Sequence, residues 1–134
     1  MANALYVKGK EKMLQGQINW LTDTIKAALV KSAYTVDLAA HEFLSDLGAN
    51  VLNTNQALSG RSVTGGVFDA NPMTWPSVTA GDTASFVVLF KDTGVAGTSP
   101  LLMYLDTITN FPVSTNGSDV TAQDNGGANK IFSL

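Results

Sequence analysis

Apolar residues along the chain gather into short runs separated by turn residues, and two of those runs have no polar face. In residues 86–90, Phe86, Val88 and Phe90 alternate with Val87 and Leu89, so both sides of an extended strand are apolar. Residues 101–105, Leu-Leu-Met-Tyr-Leu, repeat the pattern. Both runs are too short for ordinary helices and contain Val, Phe or Tyr, which predicts central strands. In an antiparallel sandwich one face of each strand is core. The other must pack under another segment of the chain or against a second subunit, because a large apolar patch left in water marks an interface.

Upstream, Ile25, Ala27 and Leu29 alternate with Lys26 and Ala28, which predicts a strand over residues 24–31. Trp20, Leu21, Thr24, Ile25 and Ala28 also fit a helical period, so a helix over residues 17–31 is the alternative. Asn3 is placed to cap a short helix through about residue 15, with Leu5, Met13 and Leu14 as its apolar contacts. Gly9 weakens that helix by roughly 1 kcal/mol relative to Ala, so packing has to order it. Residues 1–16 thus read as a docking arm. A further helix is predicted over residues 37–47, with Asp37 at its start, Leu38, Phe43, Leu44 and Leu47 on one side, and Gly48 at a left-handed stop.

Beyond Gly48 come QALSGRSVTGGVFDA, MTWPSVT, SFVVLFKD, PLLMYLDT, SDVTAQD and NKIFSL. Short strands at such close spacing predict an antiparallel sandwich or barrel. Pro72 and Pro76 bracket Met-Thr-Trp and assign that strand to an edge or a bend. The predicted fold is mainly β: an antiparallel, jelly-roll-like β-sandwich with a short N-terminal helix or arm and one further helix near residues 37–47. The length, 134 residues, is that of a single domain, 1–134, that buries a core without staples. Lys-Asp-Thr-Gly-Val-Ala-Gly-Thr-Ser, between the two apolar runs, is longer than common hairpin loops and predicts a contact role or a connection between sheets.

Charged residues make up only 14% of the chain, and its net charge of -3 disfavours nucleic acid as a partner. Lys8, Lys10, Lys12, Lys26 and Lys31 all precede Tyr34 and face only Glu11 and Asp23 there, so a basic N-terminal segment can dock on an acidic partner or form a solvated face. With no cysteine there is no disulfide framework, thiolate nucleophile or sulfur-based zinc site. No segment reaches the roughly 18 consecutive apolar residues of a membrane span, and the N-terminus lacks a signal-peptide core, so no membrane association is expected.

Chemistry-bearing motifs are sparse. Asp92-Thr93-Gly94 matches the aspartic-protease triplet, but Lys91 precedes it where a buried apolar approach is required, which favours a turn. His41 is the only histidine, so a multi-histidine metal site is impossible, and no Ser stands in a Gly-x-Ser-x-Gly turn to serve it. Asn116-Gly117-Ser118-Asp119 and Asp124-Asn125-Gly126-Gly127 lack the closing Glu of a calcium loop and read as turns, Asn-Gly being the preferred hairpin connection. Gly60–Gly66 lacks the Gly-Lys-Ser/Thr ending of a P-loop; Arg61, the only arginine, is available to contact an anion, but a surface turn is the favoured reading. Trp20 or Trp75 as a sugar platform competes with the commoner use of aromatics in a core. The sum points to a binding or structural role with no catalytic residue, cofactor or metal.

GQINWLTDTIKAALV (16–30), HEFLSD (41–46), FKDTGVAGTSPLLMYLDT (90–107), FPVSTNGSDVT (111–121) and NGGANKIFSL (125–134) together resemble small virion proteins of tailed bacteriophages, of the capsid decoration or cement type. The chain departs from that pattern at Ala122-Gln123-Asp124, where the family carries an aromatic. The resemblance implies a non-enzymatic protein, made in the host bacterial cytoplasm, that binds the major capsid protein on the capsid exterior and associates with itself as a dimer or trimer. A tail or head-tail connector component is the alternative. The residues assigned to such contacts are Lys8, Lys10, Lys12, Trp20, Asp92, Thr93 and Val95.

Overall fold

The computed structural model describes residues 4–106, 108, 111–122 and 132–133. In chain order the strands are β1 (Ala4–Leu5), β2 (Ile25–Lys31), β3 (Val51–Ala57), β4 (Ser62–Thr64), β5 (Val67–Asp69) and β6 (Met73–Trp75). They continue with β7 (Thr83–Lys91), β8 (Leu101–Leu105), β9 (Val113–Ser114), β10 (Val120–Ala122) and β11 (Phe132–Ser133). One α-helix, α1 (Val7–Leu14), follows β1, and 3-10 turns occupy Leu44–Asn50 and Ala96–Thr98. The Asn3 cap and the Asp124-Asn125-Gly126-Gly127 turn lie outside the described residues.

The mainly β, sandwich-like architecture agrees with the sequence pattern. A six-stranded antiparallel sheet runs β1-β8-β7-β2-β3, with β9 pairing β7 beyond the end of β8. Strand β2 forms where its alternation predicts, in register with β7 from Ile25 opposite Lys91 to Val30 opposite Phe86. Opposite this sheet lie a two-stranded sheet, β10-β6, and a three-stranded sheet, β11-β5-β4. Strand β6, bracketed by its prolines, pairs on one side only, as a strand flanked by residues without an N–H should.

The apolar runs that pose the question of a second cover are buried on both sides. On the first face Ile25, Ala27, Leu29, Val87, Leu89, Met103 and Leu105 form one core with Phe68 of β5, Met73 and Trp75 of β6, and Val120 and Ala122 of β10. On the second face Ala28, Val30, Val88, Phe90 and Tyr104 pack with Tyr6, Tyr34 and Leu47, flanked by Val36, Leu38 and Leu44. A bulge opposite the pairs Leu89–Met103 and Phe90–Leu101 leaves Leu102 as the extra residue, so it joins Met103 in the first core.

The further helix expected near residues 37–47 is present over the second face only as a 3-10 helix, Leu44–Asn50, displaced toward the end of the predicted span. Leu38, Leu44 and Leu47 do turn toward the sheet, but Phe43 lies beneath the Lys12 ammonium and the backbone ahead of Leu44 takes another path. The Asp37 carboxylate accepts the amides of Ala39 and Ala40 in a tight turn, Phe43 is extended and bridges Pro100, and the 3-10 segment begins only at Leu44. Asp46 holds the start of that segment by accepting the amides of Glu42 and Phe43. Such side-chain bonds compete with the helical ladder and win here because the bridge to Pro100 ties this stretch to the start of β8.

Residues 4–14 fold back on their own chain. Strand β1 extends the sheet beside β8, and the Tyr6 amide donates to the Leu102 carbonyl at 3.0 Å. Gly9 makes the next contact possible, since a Cβ there would stand 2.6 Å from the Leu101 carbonyl oxygen. The glycine that weakens α1 as an isolated helix lets it lie directly on the backbone of β8, covering that edge.

Candidate interface at one end of the sheet

Of the residues assigned to contacts, the structure brings most to one end of the large sheet, where β7 leaves it and β8 returns. The Asp92 amide donates to the Thr24 carbonyl at 2.8 Å, and the Lys91 ammonium donates to the Gln17 carbonyl at 2.9 Å while pairing with Asp23 at 3.3 Å. These bonds fix the 17–24 loop, which carries Trp20, against the start of the 92–99 loop. From the other side, the Leu44 amide donates to the Ser99 carbonyl and the Leu101 amide to the Glu42 carbonyl. Glu42 also pairs with Lys12 of α1 at 3.2 Å, and that ammonium lies 5.5 Å from the centre of the Phe43 ring.

The protease triplet is a turn. The Asp92 carboxylate meets Lys26 at 2.8 Å and accepts the Gly94 amide at 3.0 Å. The Lys26 ammonium, helped by the Gly94 amide, holds the Asp92 carboxyl below the usual carboxylate range. An acid protease needs two carboxylates sharing a proton; here the partner is a cation. Beyond it, the Thr93 hydroxyl meets those of Thr98 at 2.6 Å and Ser99 at 3.1 Å, and the buried Ser99 hydroxyl donates to the Val95 carbonyl at 2.9 Å. The loop connects neighbouring strands of one sheet, so its extra length does not serve a crossing between sheets. It holds Val95 out at 60% exposure.

The other assigned residues differ in use. Trp20 rests on Phe68 of β5, ring centres 4.7 Å apart, and is half-buried beside the first core. Lys8 pairs with Glu11 along α1 at 3.7 Å, whereas Lys10 is exposed and makes no ion pair among the described residues. Among the described residues, only Lys10 of the basic cluster is thus left without an ion pair; Lys26 and Lys31 pair with Asp92 and Asp82. Arg61 is not an open anion site, because its guanidinium donates to the carbonyls of Trp20 and Asp23 and clamps the 17–24 loop to the β4 side of the molecule.

Sequence reasoning assigned Leu14 to the packing contacts of the N-terminal helix and did not single out Leu21 as exposed; the structure leaves both in water. Leu14, on the last turn of α1, is 89% exposed, and Leu21, within the clamped loop, is 48% exposed. A large apolar residue just before a glycine stop, as Leu14 stands before Gly16, was the available signal. His41 faces inward instead: its Nδ1 accepts from the Tyr34 hydroxyl at 2.7 Å and from the Asp37 amide at 3.3 Å. The amide fixes Nδ1 as an acceptor, so Tyr34 donates to it and the Tyr6 hydroxyl donates to Tyr34 at 2.9 Å. Burial pushes both of those phenols up, and pushes Tyr104 up to about 12 with the Asp106 charge adding to it.

No group of three or more His, Cys, Asp or Glu able to hold a metal ion occurs among the described residues. The fold defines a class, a mainly β protein of antiparallel sandwich-like sheets. No protein-family model matches the chain, and no curated protein is significantly similar to it in sequence.

Proposed function

We propose that the protein is a structural component of a tailed-phage virion, a decoration or cement protein that binds the outside of the head as a small oligomer and reinforces contacts between major capsid subunits. The observation that carries this reading is the end of the sheet where Leu14, Leu21 and Val95 stand in water on segments held rigid by hydrogen bonds and ion pairs. Apolar side chains presented on ordered backbone lose little entropy on docking, which suits repeated weak attachment across a lattice. The residues that carried the alternative chemistries are engaged elsewhere: Asp92 with Lys26, Arg61 with backbone carbonyls, His41 with Tyr34. The chain-wide resemblance to decoration proteins supplies the biological setting.

The test is co-sedimentation of the purified protein with expanded, DNA-free shells of the major capsid protein. Saturable binding is expected, weakened at least about tenfold by Leu14→Asp or Val95→Asp, since each removes an apolar anchor and buries a charge. A strictly monomeric protein that stays in the supernatant would overturn the proposal. A copy number of about six to twelve per virion, the stoichiometry of a closed ring, would assign it to a connector instead.

A further inference from the structure

The Asn116-Gly117 pair reads from sequence as a two-residue hairpin, yet the strands it joins do not pair with each other: β9 pairs β7 and β10 pairs β6. The pair sits instead in a loop laced to residues 77–82. The Thr115 amide donates to the Asp82 carbonyl at 2.8 Å, and the buried Thr115 hydroxyl exchanges bonds with the Asp82 backbone at 3.0 and 3.1 Å. The Gly117 amide donates to the Val78 carbonyl at 2.8 Å, and the Val78 amide donates to the Ser118 carbonyl at 3.1 Å. Asp119 closes the set by accepting the Ser77 amide at 2.9 Å.

These bonds occupy the groups that Asn-Gly chemistry requires. In an open chain the Gly117 nitrogen, on losing its proton, attacks Cγ of Asn116 and expels the side-chain nitrogen as ammonia. Water then opens the resulting succinimide at either carbonyl and leaves aspartate or isoaspartate. In the fold that nitrogen's proton is held by Val78, and the Asn116 side-chain oxygen accepts the Ser118 amide at 3.0 Å, so the carboxamide is turned toward Ser118. Gly117 itself has φ of 89°, a left-handed conformation open to glycine.

We infer that Asn116 is a latent deamidation site gated by the contact between the 115–119 and 77–82 loops, closed in the native protein and open when that contact parts. The step is irreversible in structural terms. Isoaspartate adds a backbone carbon between residues 116 and 117 and a carboxylate near Asp119, so the Gly117–Val78 and Val78–Ser118 bonds cannot re-form in register. A single opening, once trapped, leaves a permanent chemical mark.

Peptide mapping by mass spectrometry after incubation in mildly alkaline buffer tests this, with native and urea-denatured protein run side by side. Deamidation at Asn116 is expected to be at least about tenfold slower in the native protein, because a gated reaction follows the population of the open form. Thr115→Ala, which removes the hydroxyl bonds to Asp82, is expected to bring the native rate toward the denatured one, while Thr115→Ser restores protection. Equal rates in native and denatured wild-type protein would overturn the inference. So would an unprotected Gly117 amide in hydrogen exchange of the wild type, a measurement independent of how the variants fold.

Discussion

The two faces of the six-stranded sheet are built from the same strands and covered by different means. On the first face the cover is itself β-structure, with Trp75, Met73, Phe68 and Val120 projecting from paired strands into a core of apolar and aromatic side chains. On the second the cover is an irregular connection, residues 34–50, whose backbone is held by the side chains of Asp37 and Asp46 and whose interior contains the chain Tyr6–Tyr34–His41. Doubly apolar strands therefore demand a second cover without dictating its secondary structure. Where ladder bonds are lacking, buried polar side chains fix the geometry.

The comparison breaks most strongly at its most buried points. Trp75→Ala empties the largest fully buried side chain of the first core and is expected to cost about 4 kcal/mol, lowering the urea midpoint with the slope unchanged. Leu47→Ala, in the second cover, is expected to cost about 3 kcal/mol. Hydrogen exchange then separates the faces: loss of Trp75 should weaken protection everywhere, whereas loss of Leu47 should release residues 34–50 first. Equal, global loss in both variants would mean the covers form one cooperative unit.

Tyr34→Phe sharpens the contrast with a smaller effect. It keeps the ring but removes the acceptor for the fully buried Tyr6 hydroxyl and the donor for His41, at an expected cost of about 2 kcal/mol, because a buried hydroxyl is left unpaired. A cost near zero by urea denaturation would show that the polar chain holds nothing in place.

These differences track what could be read from the sequence. Strands β7 and β8 were legible because apolar residues on both faces leave an extended, doubly buried strand as the simplest solution, and β2 because Ile25, Ala27 and Leu29 alternate with Lys26 and Ala28. The cover at 34–50 was not. Leu38, Phe43, Leu44 and Leu47 satisfy a helical period, and only the tertiary bridge of Phe43 to Pro100, with Asp46 bonding to amides that precede it, decides against the helix. The candidate interface was legible in part: Asp92 and Thr93 as turn formers follow from Asp-Thr-Gly, but pairing with Lys26 requires β2 and β7 to be neighbours, which local pattern cannot say. For the same reason Gly9 read as a weakness until β8 was placed beneath it.

The smallest expected effect concerns charge. Bonds from the Asn19, Glu42–Phe43 and Lys26 regions hold the carboxyls of Asp23, Asp46 and Asp92 respectively below their ordinary value. A carboxyl depressed in the folded state contributes stability that is complete above its unfolded pKa, near 3.9 for Asp, and is lost as pH falls through the folded value. Stability should therefore be flat with respect to these groups from about pH 5 to pH 7 and decline below about pH 4. Asp92→Asn is expected to cost less than about 1 kcal/mol at neutral pH, since its pair with Lys26 is partly exposed, and to make the acid decline shallower. Asp46 lies in the second cover, so protection of the amides it accepts, Glu42 and Phe43, should fall in acid before that of β2 at the sheet centre. If both regions lose protection at the same pH, the second cover is no more dependent on its polar anchors than the first is on its strands.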